Sequence, residues 1–299
     1  MPRPQIYGHL ASLLFSLLVA GSFSLGGIVA NLVPPEVVTA LRFSIAALIV
    51  GFIALVTGKL KISQFSKTGL MSSWRFLVLG VLFAIYFVSM FEGLKTASPI
   101  STSAVFTLAP PLSAVFGYFL LKQVTTSRMA FALIVGAFGA LWVIFRADLQ
   151  AVLNFNVGRG EAIFFVGVIC HAFYIPLFRK FNRGEPVIVS TLGVLIGGMI
   201  VLWLYSFDKA LQVDWVSLPA IFWWTIAYIS IFASAMTFFL LQYSAMQLAS
   251  AKAMAYTYLI PTWVIIWEWA LGNGLPSLAI GIGIALTIVA LIILLKNEE

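Results

Sequence analysis

The chain has 299 residues, of which 62% are apolar and 9% charged. Soluble domains run at about 45–50% apolar and about 25% charged, so a water-soluble enzyme is excluded, as is a disordered chain, which needs low hydrophobicity and high net charge. The formal charge of +7 comes from lysines and arginines in short loops between apolar runs, where they set membrane topology rather than bind nucleic acid.

Ten segments are long and apolar enough to cross a bilayer, which takes about 20 residues each. In chain order they cover 6–31, 35–57, 74–95, 98–121, 128–146, 160–180, 186–206, 217–247, 251–271 and 276–296. The first follows Arg3 and continues to about Val33 without a small-residue cleavage site, so it reads as a retained span. All ten read as helices, because a lone strand leaves its backbone groups unpaired in hydrocarbon. A β-barrel would show alternating units of about ten residues instead of long apolar runs. A single cysteine, Cys170, excludes an internal disulfide and a multi-cysteine metal site.

With the N-terminus inside, Arg3, Lys59, Lys61, Lys67, Arg75, Lys122, Arg128, Arg179, Lys180, Arg183, Lys252 and Lys296 are cytoplasmic. Only Lys95, Arg146, Arg159 and Lys209 fall outside. That asymmetry predicts both termini in the cytoplasm.

The chain repeats at an offset of about 150, with Phe91–Ile144 matching Gln242–Leu294. Each copy has a helix ending in small residues, a tight turn, and a helix broken by proline (Pro110 and Pro111, or Pro261). The expected fold is an all-α membrane protein of two five-helix repeats, 1–150 and 151–299, around a central cavity. Five spans per half give the halves opposite orientation, related by a pseudo-two-fold axis in the membrane plane. Transporters use this construction, with a solute site at mid-membrane. A duplication without functional asymmetry is the alternative.

Four stretches carry a family resemblance: LVAGSFSLGGIVANLVPPEVVTALRF (18–43), GLKTASPISTSAVFTLAPPLSAVFG (93–117), GEAIFFVGVICHAFYIPLFRKF (160–181) and AMQLASAKAMAYTYLIPTWVIIWE (245–268). In order and spacing they resemble EamA-type proteins of the drug/metabolite transporter superfamily, most closely the bacterial aromatic amino acid exporters. The resemblance implies a ten-helix exporter of the bacterial inner membrane. Its cavity would be built from helices one, three, four, six, eight and nine. Many such proteins carry a Gly-Glu pair about a dozen residues after the turn proline. Here those places hold Lys122–Gln123 and Asn273–Gly274.

Polar groups within spans usually face the bundle interior. His171 and Tyr174 share a face of helix six. His171 reads either as a cavity-lining group that titrates near neutral pH or as a histidine bonded to a neighbouring helix. Tyr86, Ser89, Met90 and Gly93 share a face of helix three; Ser103, Thr107 and Pro111 follow at i, i+4, i+8 in helix four. Gln242 and Tyr243 lie among apolar residues of helix eight, where an amide needs a partner. Tyr256, Trp263 and Trp267 form a stripe on helix nine, with Trp263 beside Pro261 the better cavity candidate. The predicted solute-binding set is therefore Tyr86, Ser89, Met90, Ser103, Thr107, His171, Tyr174, Gln242, Tyr243 and Trp263. Arg42 reads as a structural partner of Glu36 near the outer surface. Gly26, Gly27, Gly136, Gly139, Gly193, Gly197 and Gly198 read as close helix contacts.

A mostly uncharged polar lining suits an aromatic or bulky apolar amino acid, whose ring needs aromatic walls and whose charged ends need a few fixed partners. The expected protein is a monomer without cofactor or metal. It moves that solute by alternating access, either proton-coupled through Glu92, Glu268 or His171 or driven by the solute gradient. Another amphipathic metabolite or a drug is the second reading. An intramembrane enzyme lacks its motifs: there is no HExxH, no Walker A, and no aspartate within a predicted span. A channel would need a ring of charges or carbonyls. A membrane scaffold remains a reading of another class.

Overall fold

A computed structural model describes residues 3–60, 73–153 and 157–295. Lys61, Lys67 and Lys296, which enter the topology argument, lie outside the described residues. The helices are α1 (Arg3–Val29), α2 (Pro35–Val56), α3 (Trp74–Leu94), α4a (Pro99–Phe106), α4b (Ala109–Leu121), α5 (Ser127–Ile144), α6 (Arg159–Phe181) and α7 (Val187–Leu211). There follow α8a (Ala220–Ser230), a π-helical segment (Ile231–Met236), α8b (Thr237–Gln247), α9a (Ser250–Ala255), a 3₁₀ turn (Tyr256–Leu259), α9b (Ile260–Ala270) and α10 (Leu278–Leu295). A short helical turn, Leu149–Leu153, joins the halves.

Local chemistry sets the helix starts. Pro35 and Pro99 sit in the first turns of α2 and α4a, where the missing N–H costs nothing. Ser98 Oγ accepts from the Ser101 amide at 3.2 Å, and Thr126 Oγ1 from the Met129 amide at 3.4 Å. Both supply an acceptor to an orphan N–H. Helix α7 runs past the expected end at 206, so Asp208 and Lys209 lie in its last turns. The expectation that no aspartate lies within a span is corrected at that point, and the helix end is where long charged side chains reach polar surroundings.

Nine helices among the described residues are individually long and apolar enough to cross a membrane. The remaining crossing, 250–270, is divided by its 3₁₀ turn. Its counterpart in the first half is interrupted too, at Thr107 and Leu108, where amides bond only three residues back. Both breaks have one cause. Prolines at 110, 111 and 261 lack an N–H, and their rings clash with the carbonyl four residues earlier, at Phe106, Thr107 and Thr257.

The spans pair antiparallel. Gly93 of α3 lies against Gly160 of α6, and Tyr86 and Ser89 lie against Gly167. Between α1 and α8, Tyr228 Oη donates to Leu18 O at 3.0 Å, and the Ser12 and Ser244 hydroxyls meet at 2.5 Å. Between α2 and α7, Trp203 Nε1 donates to Ser44 Oγ at 2.8 Å, and Lys209 is paired with Glu36. Between α5 and α10, Trp142 Nε1 donates to Ala279 O at 2.9 Å, and Gly139 approaches Gly283. Helices two and seven are counterparts at the repeat offset, as are five and ten. A helix antiparallel to its own counterpart requires a two-fold axis perpendicular to the helices, hence in the membrane plane. The same operation exchanges the α3–α6 pair with the α8–α1 pair.

Glycines make the closest crossings. A Cβ on Gly93 would sit 2.7 Å from the Gly160 carbonyl oxygen, and one on Gly283 would sit 2.8 Å from the Gly139 carbonyl oxygen. Without side chains there, backbones meet directly, which is how helices gain contact area in lipid.

Candidate functional site

The halves meet in a buried aromatic cluster. Helix α6 projects His171 into it, ringed by Phe83 at 5.0 Å, Tyr86 at 4.4 Å, Phe106 at 4.9 Å and Phe15 at 6.4 Å between centroids. Tyr174, one turn on, packs edge-on to Phe83 at 4.3 Å. The walls therefore come from α1, α3, α4a and α6. Phe106 is the last residue of α4a, so the proline-induced break in helix four borders the cluster.

Helix α6 carries a proline of its own, Pro176. It deprives the Ala172 carbonyl of its helical donor. Ser113 Oγ of α4b supplies a replacement at 3.0 Å. The irregular backbone beside His171 is thus stabilised from the neighbouring broken helix, as irregular backbone at membrane depth must be.

Three polar atoms at the centre of the cluster are unsatisfied. Neither ring nitrogen of His171 nor the Tyr86 hydroxyl has a hydrogen-bond partner among the described residues, and both residues are 1% exposed. An unmade buried hydrogen bond costs about 1–3 kcal/mol per group. Of the two readings of His171, the bond to a neighbouring helix is not made here.

The rings of the cluster are packed against one another, with Phe83, Tyr86, Phe106 and His171 each at most 2% exposed. Two grooves lie at the periphery. One of about 440 Å³ runs between α3 and α7, lined by Trp74, Leu77, Gly193 and Ile196. Another of about 580 Å³ carries Glu36, Glu92, Lys95 and Lys209 at the end of the bundle remote from Gln5.

The predicted residues fall into those in the cluster, those that tie helices together, and those bonded or stacked within their own helix. Tyr86, His171 and Tyr174 are in ring contact with the cluster, and Met90 is fully buried one turn from Tyr86. Ser103 and Thr107 are buried, but their hydroxyls donate to Ile100 O and Ala104 O, each at 2.7 Å. Ser89 lies at the α3–α6 crossing beside Gly167. Trp263 Nε1 donates to Ser16 Oγ at 3.3 Å, joining α9b to α1. Gln242 donates from Nε2 to Tyr174 Oη at 2.7 Å and accepts from Thr191 Oγ1 at 2.8 Å. Its partners are thus helices six and seven. Tyr243 is half-buried and stacks on Phe239 at 6.3 Å. Adjacent helix positions do not share a face, so Tyr243 is turned away while Gln242 faces inward.

Several glutamates have partners, while Glu268 Oε1 is buried with none among the described residues. Glu92 pairs with Lys95 at 2.7 Å, Glu161 accepts from Ser101 Oγ at 2.6 Å, and Glu268 Oε2 accepts from Asn273 Nδ2 at 2.8 Å. At the α6–α7 loop, partial burial opposes charge on Glu185. Bonds from Arg75 and from the Arg183 and Glu185 amides outweigh it and hold the carboxyl below its ordinary range.

Sequence reasoning misplaced Arg42. Its expected partner, Glu36, is bound to Lys209 of α7. Arg42 lies fully buried about 10 Å from the start of α2, at 1.5 Å per residue. Its Nε donates to Ser234 Oγ at 2.8 Å and its Nη2 to Ala233 O at 2.8 Å and Ile229 O at 3.3 Å. It therefore holds the π-helical segment, whose wider turn displaces carbonyls from the regular ladder. Glu36 precedes Arg42 by six residues, between one and two helical turns, and nothing in the local pattern shows that α8 supplies a stronger set of acceptors. Phe15, Phe83 and Phe106 were also missed. Their spacing relative to Tyr86 and Thr107 was visible, but phenylalanine in an apolar span carries no signal of facing inward.

Comparison with known proteins agrees with this architecture. The model of the EamA-like transporter family matches twice, over residues 6–145 and 158–296, once for each five-helix half. An uncharacterized transporter, YyaM of Bacillus subtilis (strain 168), is 25% identical over 261 residues, covering 87% of this chain and 84% of that protein. A solved crystal structure superposes with a TM-score of 0.72 at 20% identity, over 98% of this chain and 97% of that one, and shows the same fold. With one family match falling on each half of an inverted ten-helix bundle, the chain belongs to the EamA-like transporter family of the drug/metabolite transporter superfamily.

Proposed function

We propose that the protein exports amino acids, preferring aromatic or bulky apolar ones, by alternating access across the bacterial inner membrane. In this reading it acts as a monomer, without a cofactor and without enzymatic activity. Both termini are cytoplasmic, and the moving units are the halves 1–150 and 151–299. The observation that carries the reading is the aromatic cluster around His171, with the unpaired nitrogens of His171 and the unpaired Tyr86 hydroxyl at its centre. Aromatic walls with a few convergent polar atoms match the two halves of such a solute.

The cluster is closed here, and opening needs the rings to separate. The breaks in helices four and nine stand at equivalent places in the two halves, so each half has a point at which one segment can tilt against the other. Half-helices of this kind border solute sites in inverted-repeat transporters. The solute would contact Tyr86, Met90, His171 and Tyr174, with Ser89, Ser103, Thr107 and Trp263 at the edges. Gln242 serves as a strut behind Tyr174, and Tyr243 takes no part.

Uptake of labelled tryptophan, phenylalanine and tyrosine into proteoliposomes, against empty liposomes, tests the proposal. Flux above the empty control is the expected result. Equal flux across a panel of aromatic and apolar amino acids would reject it. Repeating the measurement with an imposed pH gradient separates proton coupling from facilitated movement.

A further inference from the structure

A guanidinium has five N–H donors and a charge it cannot lose. Arg42 is fully buried, and three of those donors are used by Ser234 and by the carbonyls of Ile229 and Ala233. Its Nη1, with two donors, has no hydrogen-bond partner among the described residues. No carboxylate neutralises the charge among the described residues, since Glu36 is bound to Lys209 and Glu92 to Lys95. The cation lies instead 3.8 Å above the ring of Phe87. That contact and the carbonyl dipoles offset part of the cost of burial. Holding the π-helical segment needs hydrogen-bond donors, which a neutral side chain can supply. It does not need a full charge with one end left unpaired.

Phe87 links this charge to the cluster. Its ring, beneath Arg42, lies 4.7 Å from the ring of Tyr86, which borders His171. We infer that Arg42 Nη1 receives the carboxylate of the transported solute, so that the site selects carboxylate-bearing aromatic compounds and places their rings toward Tyr86. The inference rests on the amino-acid reading above for its choice of solute. Arginine suits the task because Nε and Nη2 can hold the helix-eight acceptors while Nη1 keeps two charge-assisted donors for a carboxylate oxygen. The partners already holding Nε and Nη2 fix the direction of Nη1.

The test uses the full chain purified in detergent, with thermal unfolding read from tryptophan fluorescence. Two probes share a ring and differ in charge: 3-phenylpropionate carries the carboxylate alone, and phenethylamine carries the ammonium alone. The expected result is a rise in the unfolding temperature with 3-phenylpropionate and none with phenethylamine. Arg42→Lys keeps the charge but replaces the five-donor guanidinium by one ammonium, which cannot hold the helix-eight acceptors and present free N–H groups together. It should weaken the 3-phenylpropionate response by about tenfold to a hundredfold in concentration.

Equal stabilisation by both probes, no response to the carboxylate, or an unchanged response in Arg42→Lys would each overturn the inference. If Arg42→Lys does not fold, the two probes on the unaltered protein decide it. A protein that responds only to the carboxylate yet moves no amino acid in proteoliposomes loses the transport reading and keeps this one. A protein that moves amino acids but responds equally to the amine loses this one alone.

Discussion

Gln242→Leu replaces a buried amide by an apolar side chain of similar size and removes two interhelical hydrogen bonds. Those bonds, at 2.7 and 2.8 Å, tie α8b to Tyr174 of α6 and Thr191 of α7, and all three residues are fully buried. The single Thr191 hydroxyl proton is shared between Gln242 Oε1 and Val187 O, both at 2.8 Å, so in the variant it turns to Val187 O and is not orphaned. Tyr174 Oη loses the only partner shown for it. Interhelical bonds in membranes contribute about 0.6 kcal/mol each on average and up to about 1.7 kcal/mol. Losing one full bond and one shared one predicts a loss of about 0.6–2 kcal/mol, part of it arising at Tyr174. The assay is reversible unfolding in mixed micelles of the parent, Gln242→Leu, Tyr174→Phe and the double variant. The expected coupling between positions 174 and 242 is about 0.6 kcal/mol. Additive effects, or a Gln242→Leu variant as stable as the parent, would refute the strut assignment.

Tyr86→Phe removes a buried hydroxyl that has no partner among the described residues, so stability should rise, by up to about 1–3 kcal/mol. Amino-acid flux in proteoliposomes should fall, and unchanged flux would remove Tyr86 from the solute contacts. Gly93→Leu drives a side chain into the α6 backbone at Gly160. It should cost at least about 1–3 kcal/mol, read as loss of the monodisperse peak in size-exclusion chromatography; a parent-like profile would mean that α3 and α6 do not meet there. The Glu185 carboxyl, held low in the fold, contributes stability above its unfolded pKa of about 4.3. That contribution disappears as pH falls through the lower folded value. Glu185→Gln should therefore reduce stability at pH 7 by less than about 1 kcal/mol, since the group is partly exposed, and the gap to the parent should close in strong acid. A gap that persists there would disprove the carboxylate as its source.

The membrane class, the crossings and their ends to within a few residues, and the internal repeat were all legible in the sequence. Lipid makes this so: every crossing must satisfy its own backbone, so each one announces itself as a long apolar run. The proline breaks in helices four and nine were legible for a related reason, since a missing N–H acts on the turn that holds it. Parity did the rest, because five crossings per half force the halves to oppose.

Side-chain partnership was not legible, because it is settled between helices far apart in the chain. In a span that is apolar all round, neighbours rather than hydropathy decide which side faces inward. Gln242 bonds Tyr174 and Thr191 on helices six and seven, partners that its position among apolar residues does not name. Glu36, six residues before Arg42, goes to Lys209 in the fold. Only tertiary packing gathers Phe15, Phe83 and Phe106 around His171 and sets Arg42 against the carbonyls of a π-helix. Those atoms lie up to almost two hundred residues apart in the chain, and no local pattern encodes such a meeting.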